Sequence, residues 1–354
     1  MADASALRFL AFYLPQFHPI AENDAWWGPG FTEWTNVVQG KPLFRGHYQP
    51  HQPRDLGYYD LRLAEVRAAQ AELAAKHGID GFCYYHYWFS GRRLLELPFR
   101  EVLASGEPDF PFLLCWANEP WTRLWSGKGD QVLADQAYSP EDDLRHIRWL
   151  AEAFADPRYL RIGSRPVLLV YRPLSLPDPR RTAETWRAES ARLGLPEPYL
   201  CGVESVPMGG RTPADLGLDA AVEFAPTFAL IDPPRRSPNP LSPFRHNRVL
   251  DYDVLAQRTL SAATPSYLRF PCVTPGFDNS VRRRDGGATI LTGSTPERYE
   301  RWLSAAVARF QPPTPDENLF FVNAWNEWGE GNHLEPDQRW ATAYLSAHAR
   351  VAHG

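Results

Sequence analysis

Glu327 and Glu330 stand three residues apart in NAWNEWGEGNHLEP, residues 323–336. Gly329 and Gly331 punctuate that segment and permit sharp backbone turns, so both carboxylates can face one cavity. Cleavage of a glycosidic bond needs such a pair. One group handles a proton on the sugar side and the other protonates the leaving oxygen. Burial or mutual repulsion would split their pKa values, leaving one charged and one protonated. A solvated turn can carry the same spacing, so position decides. This pair follows an apolar run, LFFVNAW, and is flanked by Trp325 and Trp328.

The elements that must position the pair read as a barrel. Eight short, nearly continuous apolar runs occupy 8–17, 79–89, 110–118, 166–171, 199–204, 220–224, 270–274 and 319–325. Runs of this kind are strands buried on both faces, as in a parallel sheet. Helical patterns lie between them, over 61–77, 139–154, 178–193, 295–310 and 337–352. Ser139 followed by Pro140 and acids is a helix start, and Asp178 and Thr295 repeat that grammar. The expected fold is α/β, a single (β/α)₈ barrel over residues 1–354 with long loops after strands 1 and 6. An open doubly wound sheet would carry a glycine-rich phosphate loop after strand 1, where this chain has Pro15, Gln16, Phe17 and His18.

Polar and aromatic residues recur at the predicted C-terminal ends of these strands, which share one rim in a barrel. Candidate substrate-binding residues there are Tyr13, His18, Trp34, His86, Tyr87, Asn118, Glu119, Trp121, Tyr171, Glu204, Asn326 and Trp328. Several have a structural alternative. Glu119 and Glu204 could each pair with an arginine, and His18 and His86 could be satisfied structural groups. Trp26, Trp27, Trp34 and Trp121 could build sugar-stacking walls or pack the first loop, and Glu33 could bind a hydroxyl or brace that loop. Asp278 with Asn279 is a weak oxygen-ligand pattern; no metal and no cofactor are expected.

Composition narrows the classes. The chain has 354 residues, 13 tryptophans, 34 prolines and a formal net charge of −5. A mildly acidic chain without a basic block argues against a nucleic-acid partner, and no apolar run is long enough to span a membrane. High proline beside 13% aromatic content marks rigid connections rather than disorder. Nine tryptophans (26, 27, 34, 88, 116, 121, 125, 325 and 328) fall in strand-end or post-strand segments, which favours a sugar-binding cleft. Four dispersed cysteines suit buried free thiols. They and a non-signal N-terminus lead to an expected cytoplasmic location. Oligomeric state is not legible.

The 323–336 segment resembles the W-N-E-W-x-E-G-x-x-x-E-P block of the WbsX-type proteins. These are widely described as glycosyltransferases of polysaccharide gene clusters and are similar to the family 99 glycoside hydrolases, the endo-α-mannosidases and endo-α-mannanases. AFYLPQFHPI, WWGPGFTEWTNV, GFCYYHYWF, CWANEPWTRLW and RPVLLVYRP extend the resemblance over most of the chain. The resemblance implies a barrel hydrolase that acts on a poly- or oligosaccharide with retention. Glu327 is then a base on the sugar 2-hydroxyl, which attacks the anomeric carbon to give an epoxide-like intermediate. Glu330 is the acid/base. The hydrolases usually carry histidine where this chain has Gly329, a departure that bears on the substrate.

The rival expectation is a glycosyltransferase of surface-polysaccharide biosynthesis. A nucleotide-sugar enzyme needs a diphosphate site. The D-x-D at Asp251–Asp253 reads as a helix cap, and Arg282–Arg284 reads as a solvated loop before it reads as a diphosphate site. A non-catalytic glycan-binding module leaves the paired carboxylates unexplained.

Overall fold

The structure, a computed structural model, describes residues 7–123, 128–231, 246–283 and 286–354. Trp125, Arg284 and residues 232–245 of the long loop after strand 6 lie outside the described residues.

Eight parallel staves close a (β/α)₈ barrel. They are β1 (Arg8–Tyr13), β2 (Gly81–Phe89), β3 (Phe112–Trp116), β4 (Arg165–Val170), β5 (Tyr199–Glu204), β6 (Ala220–Glu223), β7 (Arg269–Phe270 and Cys272–Val273) and β8 (Leu319–Val322). Each neighbour pairs in parallel register, and β1 closes the ring between β2 and β8. Pro271 divides β7, because proline has no N–H for the ladder. The first half pairs with β6 and the second with β8.

Helices follow the staves: α1 (Ala64–Lys76), α2 (Leu97–Ser105), α3 (Pro140–Phe154), α4 (Pro179–Arg192), α5 (Tyr252–Ser261), α6 (Pro296–Arg309) and α7 (Ala343–Ala352). The expected caps form. The side chains of Ser139, Asp178 and Thr295 accept from the backbone N–H three residues on, which satisfies one orphan donor each. Asp251 likewise caps α5 through Asp253 N, so the D-x-D is a helix start as expected. Between β5 and β6 only a 3₁₀ turn, Ala214–Leu216, replaces a helix. Two unforeseen insertions sit on the rim side: a hairpin of Trp121–Arg123 with Lys128–Ala134, and a strand pair of Arg248–Asp251 with Thr289–Thr292. Strand ends fall short of the apolar runs; β8, for instance, stops at Val322, before the polar turn begins.

Strand alternation decides what reaches the barrel axis, since successive side chains point to opposite faces. Phe12 stacks on Tyr85, 5.6 Å between ring centroids, and meets Phe224 and Phe321. Their neighbours Tyr13 and His86 point outward to the helix layer. The Tyr13 hydroxyl donates to Gln70 of α1. The His86 ring stacks on Trp149 of α3 and lies 3.0 Å, Nε2 to Nε2, from His146. Cys83, Cys115, Cys201 and Cys272 are buried free thiols on β2, β3, β5 and β7. No helix among the described residues is long and apolar enough to cross a membrane.

Candidate active site

The turn after β8 is a compact device. Asn326 and Glu327 pair antiparallel with His333 and Asn332, and a 3₁₀ turn, Trp328–Glu330, closes the loop. Asn326 anchors it to the end of β1: its Oδ1 accepts from Leu14 N at 2.7 Å and its Nδ2 donates to Leu14 O. Glu335 anchors it from behind, accepting from Trp328 Nε1, Gln70 Nε2 and the Tyr59 hydroxyl at 2.6–2.8 Å. The two glycines serve different ends. Gly331 has φ +53°, a left-handed conformation that glycine adopts without strain. Gly329 supplies room, because a Cβ there would lie 1.9 Å from Glu33 Oε1 and 2.7 Å from Arg282 Nε.

Arg282 is the centre of the site. Its Nη1 donates to Glu330 Oε1 at 2.8 Å, its Nη2 to Glu327 Oε2 at 3.0 Å and its Nε to Glu33 Oε1 at 2.9 Å. The expectation of a solvated arginine loop is overturned for Arg282. A 3₁₀ turn, Ser280–Arg282, folds it inward, and its side chain is only 12% exposed. Asp278 holds that turn, accepting from His47, Gln49 and Ser280 N, while Asn279 Oδ1 accepts from Thr289 N. The oxygens of the weak metal pattern are thus committed to bracing. Glu33 is fully buried, and its pairing with Arg282 is the loop-bracing alternative.

Burial raises the pKa of Glu327 to about 8, helped by repulsion from Glu330 and Glu33 and opposed by Arg282. Burial raises Glu330 as well, against the same guanidinium. Burial thus favours the neutral form of both carboxyls, and Arg282 the charged form.

Both carboxyls and Arg282 line a cavity of about 280 Å³ with Tyr85, Tyr87, Trp121 and Tyr171. Its lining also includes Gln16, Asn23 and Trp27 from the first loop and Phe224 and Phe228 after β6. Burial pushes the phenols of Tyr85, Tyr87 and Tyr171 well above their ordinary range, so they remain neutral hydrogen-bonding groups. Trp121 meets Tyr87 edge-on at 5.0 Å and Trp26 at 5.9 Å.

Of the sequence candidates, Glu327, Glu330, Tyr87, Glu119, Trp121 and Tyr171 share this cavity. Glu119 also pairs with Arg172 at 2.6 Å. The others stand behind its lining. Asn118 bonds both the N–H and the carbonyl of Arg172. Trp34 donates to Tyr59 O and packs on Trp328, and Trp328 stacks on His333. His18 is buried, and burial lowers it to about 4, so its ring is neutral. Glu204 accepts from the Tyr267 hydroxyl and pairs with Arg269, its arginine-partner alternative. Sequence reasoning gave Arg282 no part in this site; its only signal was the VRRRD cluster.

Comparison with known proteins adds a family. Residues 9–348 match the model of the family described as "Glycosyltransferase WbsX". Two relatives called "Uncharacterized protein WxcX", from two strains of Xanthomonas campestris pv. campestris, are each 46% identical over 339 residues. The match covers 96% of this chain, which spans 48% of their length, about half of the curated relatives it matches. Among solved structures, a "Glycoside hydrolase-like protein" superposes with a TM-score of 0.63 at 15% identity, covering 98% of this chain and 93% of that one. The GH99 endo-alpha-mannosidase of Bacteroides thetaiotaomicron, in complex with bis-tris-propane, gives 0.56 at 14% identity, covering 99% and 97%. At such identities the likeness is one of fold. The family match over nearly the whole length is of another kind: this chain belongs to the WbsX glycosyltransferase family.

Proposed function

We propose that this chain is a retaining glycoside hydrolase acting on a polysaccharide or oligosaccharide. The observation that carries the reading is the pairing of buried Glu327 and half-buried Glu330 on one guanidinium in the lining of an aromatic cavity. Glu327 takes the proton of the sugar 2-hydroxyl as that oxygen bonds to the anomeric carbon. The bond to the leaving oxygen breaks, and Glu330 supplies the proton it needs. Water, deprotonated by Glu330, then attacks the anomeric carbon. The three-membered ring opens and its oxygen recovers the proton from Glu327. Two inversions give net retention. Tyr87, Trp121 and Tyr171 offer ring faces and polar edges for the sugar.

The family description favours a second reading, glycosyl transfer. Against it, Arg282 is committed to carboxylates, and Asp251 and Asp253 to the α5 start and to Arg298. A glycan-library screen with nuclear magnetic resonance of the first-formed anomer tests the proposal. Retained configuration in wild type and at least a ~1,000-fold loss of kcat in Glu330→Gln support it. Inverted product, full activity in that variant, or turnover seen only with a nucleotide-sugar donor overturns it.

A further inference from the structure

The turn that carries Glu327 and Glu330 borders a second cavity, of about 220 Å³, lined by His47, His51, Asp278, His333, Asp337 and Tyr344. Three of these side chains converge. His51, His333 and Asp337 each offer one ligand atom, all within 4.8 Å of one another. His51 Nδ1 lies 2.8 Å from His333 Nε2.

The surroundings fix the orientation of each group. His333 Nδ1 lies 2.9 Å from the Glu335 carbonyl oxygen. A carbonyl only accepts, so Nδ1 carries the proton and Nε2 presents its lone pair to His51. Trp328 stacks on the same ring at 3.7 Å between centroids and 14° between planes. Asp337 Oδ1 accepts from the backbone N–H of Arg339 and Trp340, and its Oδ2 from the Tyr48 hydroxyl at 3.0 Å. The 51–54 segment is tied to the 336–338 segment by a bridge between Pro53 and Asp337 and by backbone bonds from Arg54 N to Pro336 O and Gln338 N to Gln52 O. A ring whose second nitrogen donates to a carbonyl, beside an oriented carboxylate, is the outer-shell arrangement of metal-binding histidines.

We propose that His51 Nδ1, His333 Nε2 and Asp337 Oδ2 bind a divalent transition ion of the zinc class, with a fourth position open to the second cavity. Two imidazoles and one carboxylate suit a borderline ion. Bonds of ~2.1 Å in a tetrahedron place ligand atoms roughly 3.4 Å apart, so the two nitrogens separate by about half an ångström on binding. On binding, the His51 proton that bridges to His333 moves from Nδ1 to Nε2, freeing the Nδ1 lone pair for the ion, and no net proton is released. The ion ties the long loop after β1 to the catalytic turn, a link that stands apart from any glycosidase chemistry.

The test uses the whole chain, freed of metal by chelator and dialysed, then titrated with Co²⁺ alone. One equivalent should bind per chain with the visible absorption of a four- or five-coordinate ion, and Zn²⁺ should displace it. His51→Gln and Asp337→Asn should each weaken binding by at least about 100-fold. X-ray absorption of Zn²⁺-loaded wild type reads the ligands directly and holds even if a variant fails to fold. A shell of two imidazoles and oxygen supports the site. Absence of stoichiometric uptake, equal uptake by well-folded variants, or a shell without two imidazoles overturns it.

Discussion

Gly329→Ala is the sharpest test of how the site is assembled. The added Cβ would meet Glu33 Oε1 at 1.9 Å and Glu33 Cδ at 2.7 Å. Glu33 has nowhere to retreat without cost, because it is fully buried and joined to Arg282 Nε at 2.9 Å. Overpacking of this kind costs about 1–3 kcal/mol, and losing a charged hydrogen bond costs about 1.5–3 kcal/mol more. The variant should lose about 3–5 kcal/mol by denaturant unfolding. Its kcat/KM should fall by about 100-fold, as expected for a ~1 Å shift of the groups Arg282 holds. Glu33→Ala removes the nearer obstacle and leaves the 2.7 Å approach to Arg282 Nε. In that background Gly329→Ala should cost about 1–2 kcal/mol, a coupling of roughly 2 kcal/mol or more read from a double-mutant cycle. Costs that add to within ~0.5 kcal/mol would refute the reasoning. The same geometry bears on the histidine found here in the hydrolases this chain resembles, since its side chain needs the volume that Glu33 and Arg282 fill.

Three further outcomes follow from the electrostatics. The mechanism needs Glu327 ionised and a proton on Glu330, whose carboxyl burial raises, so kcat/KM should fall at alkaline pH as the pair loses that proton; Glu33→Gln removes a charge that raises both carboxyls and should move that limb to lower pH, and an unmoved limb would reject the assignment. A carboxyl raised from 4.5 to about 8 binds its proton more tightly folded than unfolded, so its favourable contribution is complete below pH 4.5 and lost as pH rises through about 8. Glu327→Gln should therefore gain on wild type between pH 5 and 8.5, by up to about 4 kcal/mol, in urea titrations at the two pH values. Glu335→Ala strands three buried donors, on Trp328, Gln70 and Tyr59, and should lower stability by about 3 kcal/mol or more in thermal or denaturant unfolding.

The barrel was legible because its staves are buried on both faces and its helices carry their caps in sequence. The 3₁₀ turn between β5 and β6 left no periodic signal to read. Pro271 stood visibly inside the FPCVT run, yet only the pairing of its two halves shows that it divides the stave. Within the site, the carboxylate pair was legible from a local turn, whereas Arg282 lies 45 residues before Glu327 and comes beside it only in three dimensions. A run of three arginines suggests solvent, and only a fold that supplies three carboxylates makes one of them a buried partner. Alternation along β2 was available to separate inward Tyr85 and Tyr87 from outward His86 and Trp88. Treating the strand end as one rim blurred that distinction.

The four thiols give the barrel its own clock. Cys83, Cys115, Cys201 and Cys272 are 0–1% exposed and sit on four different staves. Burial also holds the thiols of Cys83, Cys201 and Cys272 above their ordinary range. An alkylating reagent therefore reaches each only when its own stave opens, and the labelling order maps which part of the wall yields first. Cys272 directly follows Pro271, where β7 changes partners from β6 to β8. That seam is where the barrel should first admit the reagent.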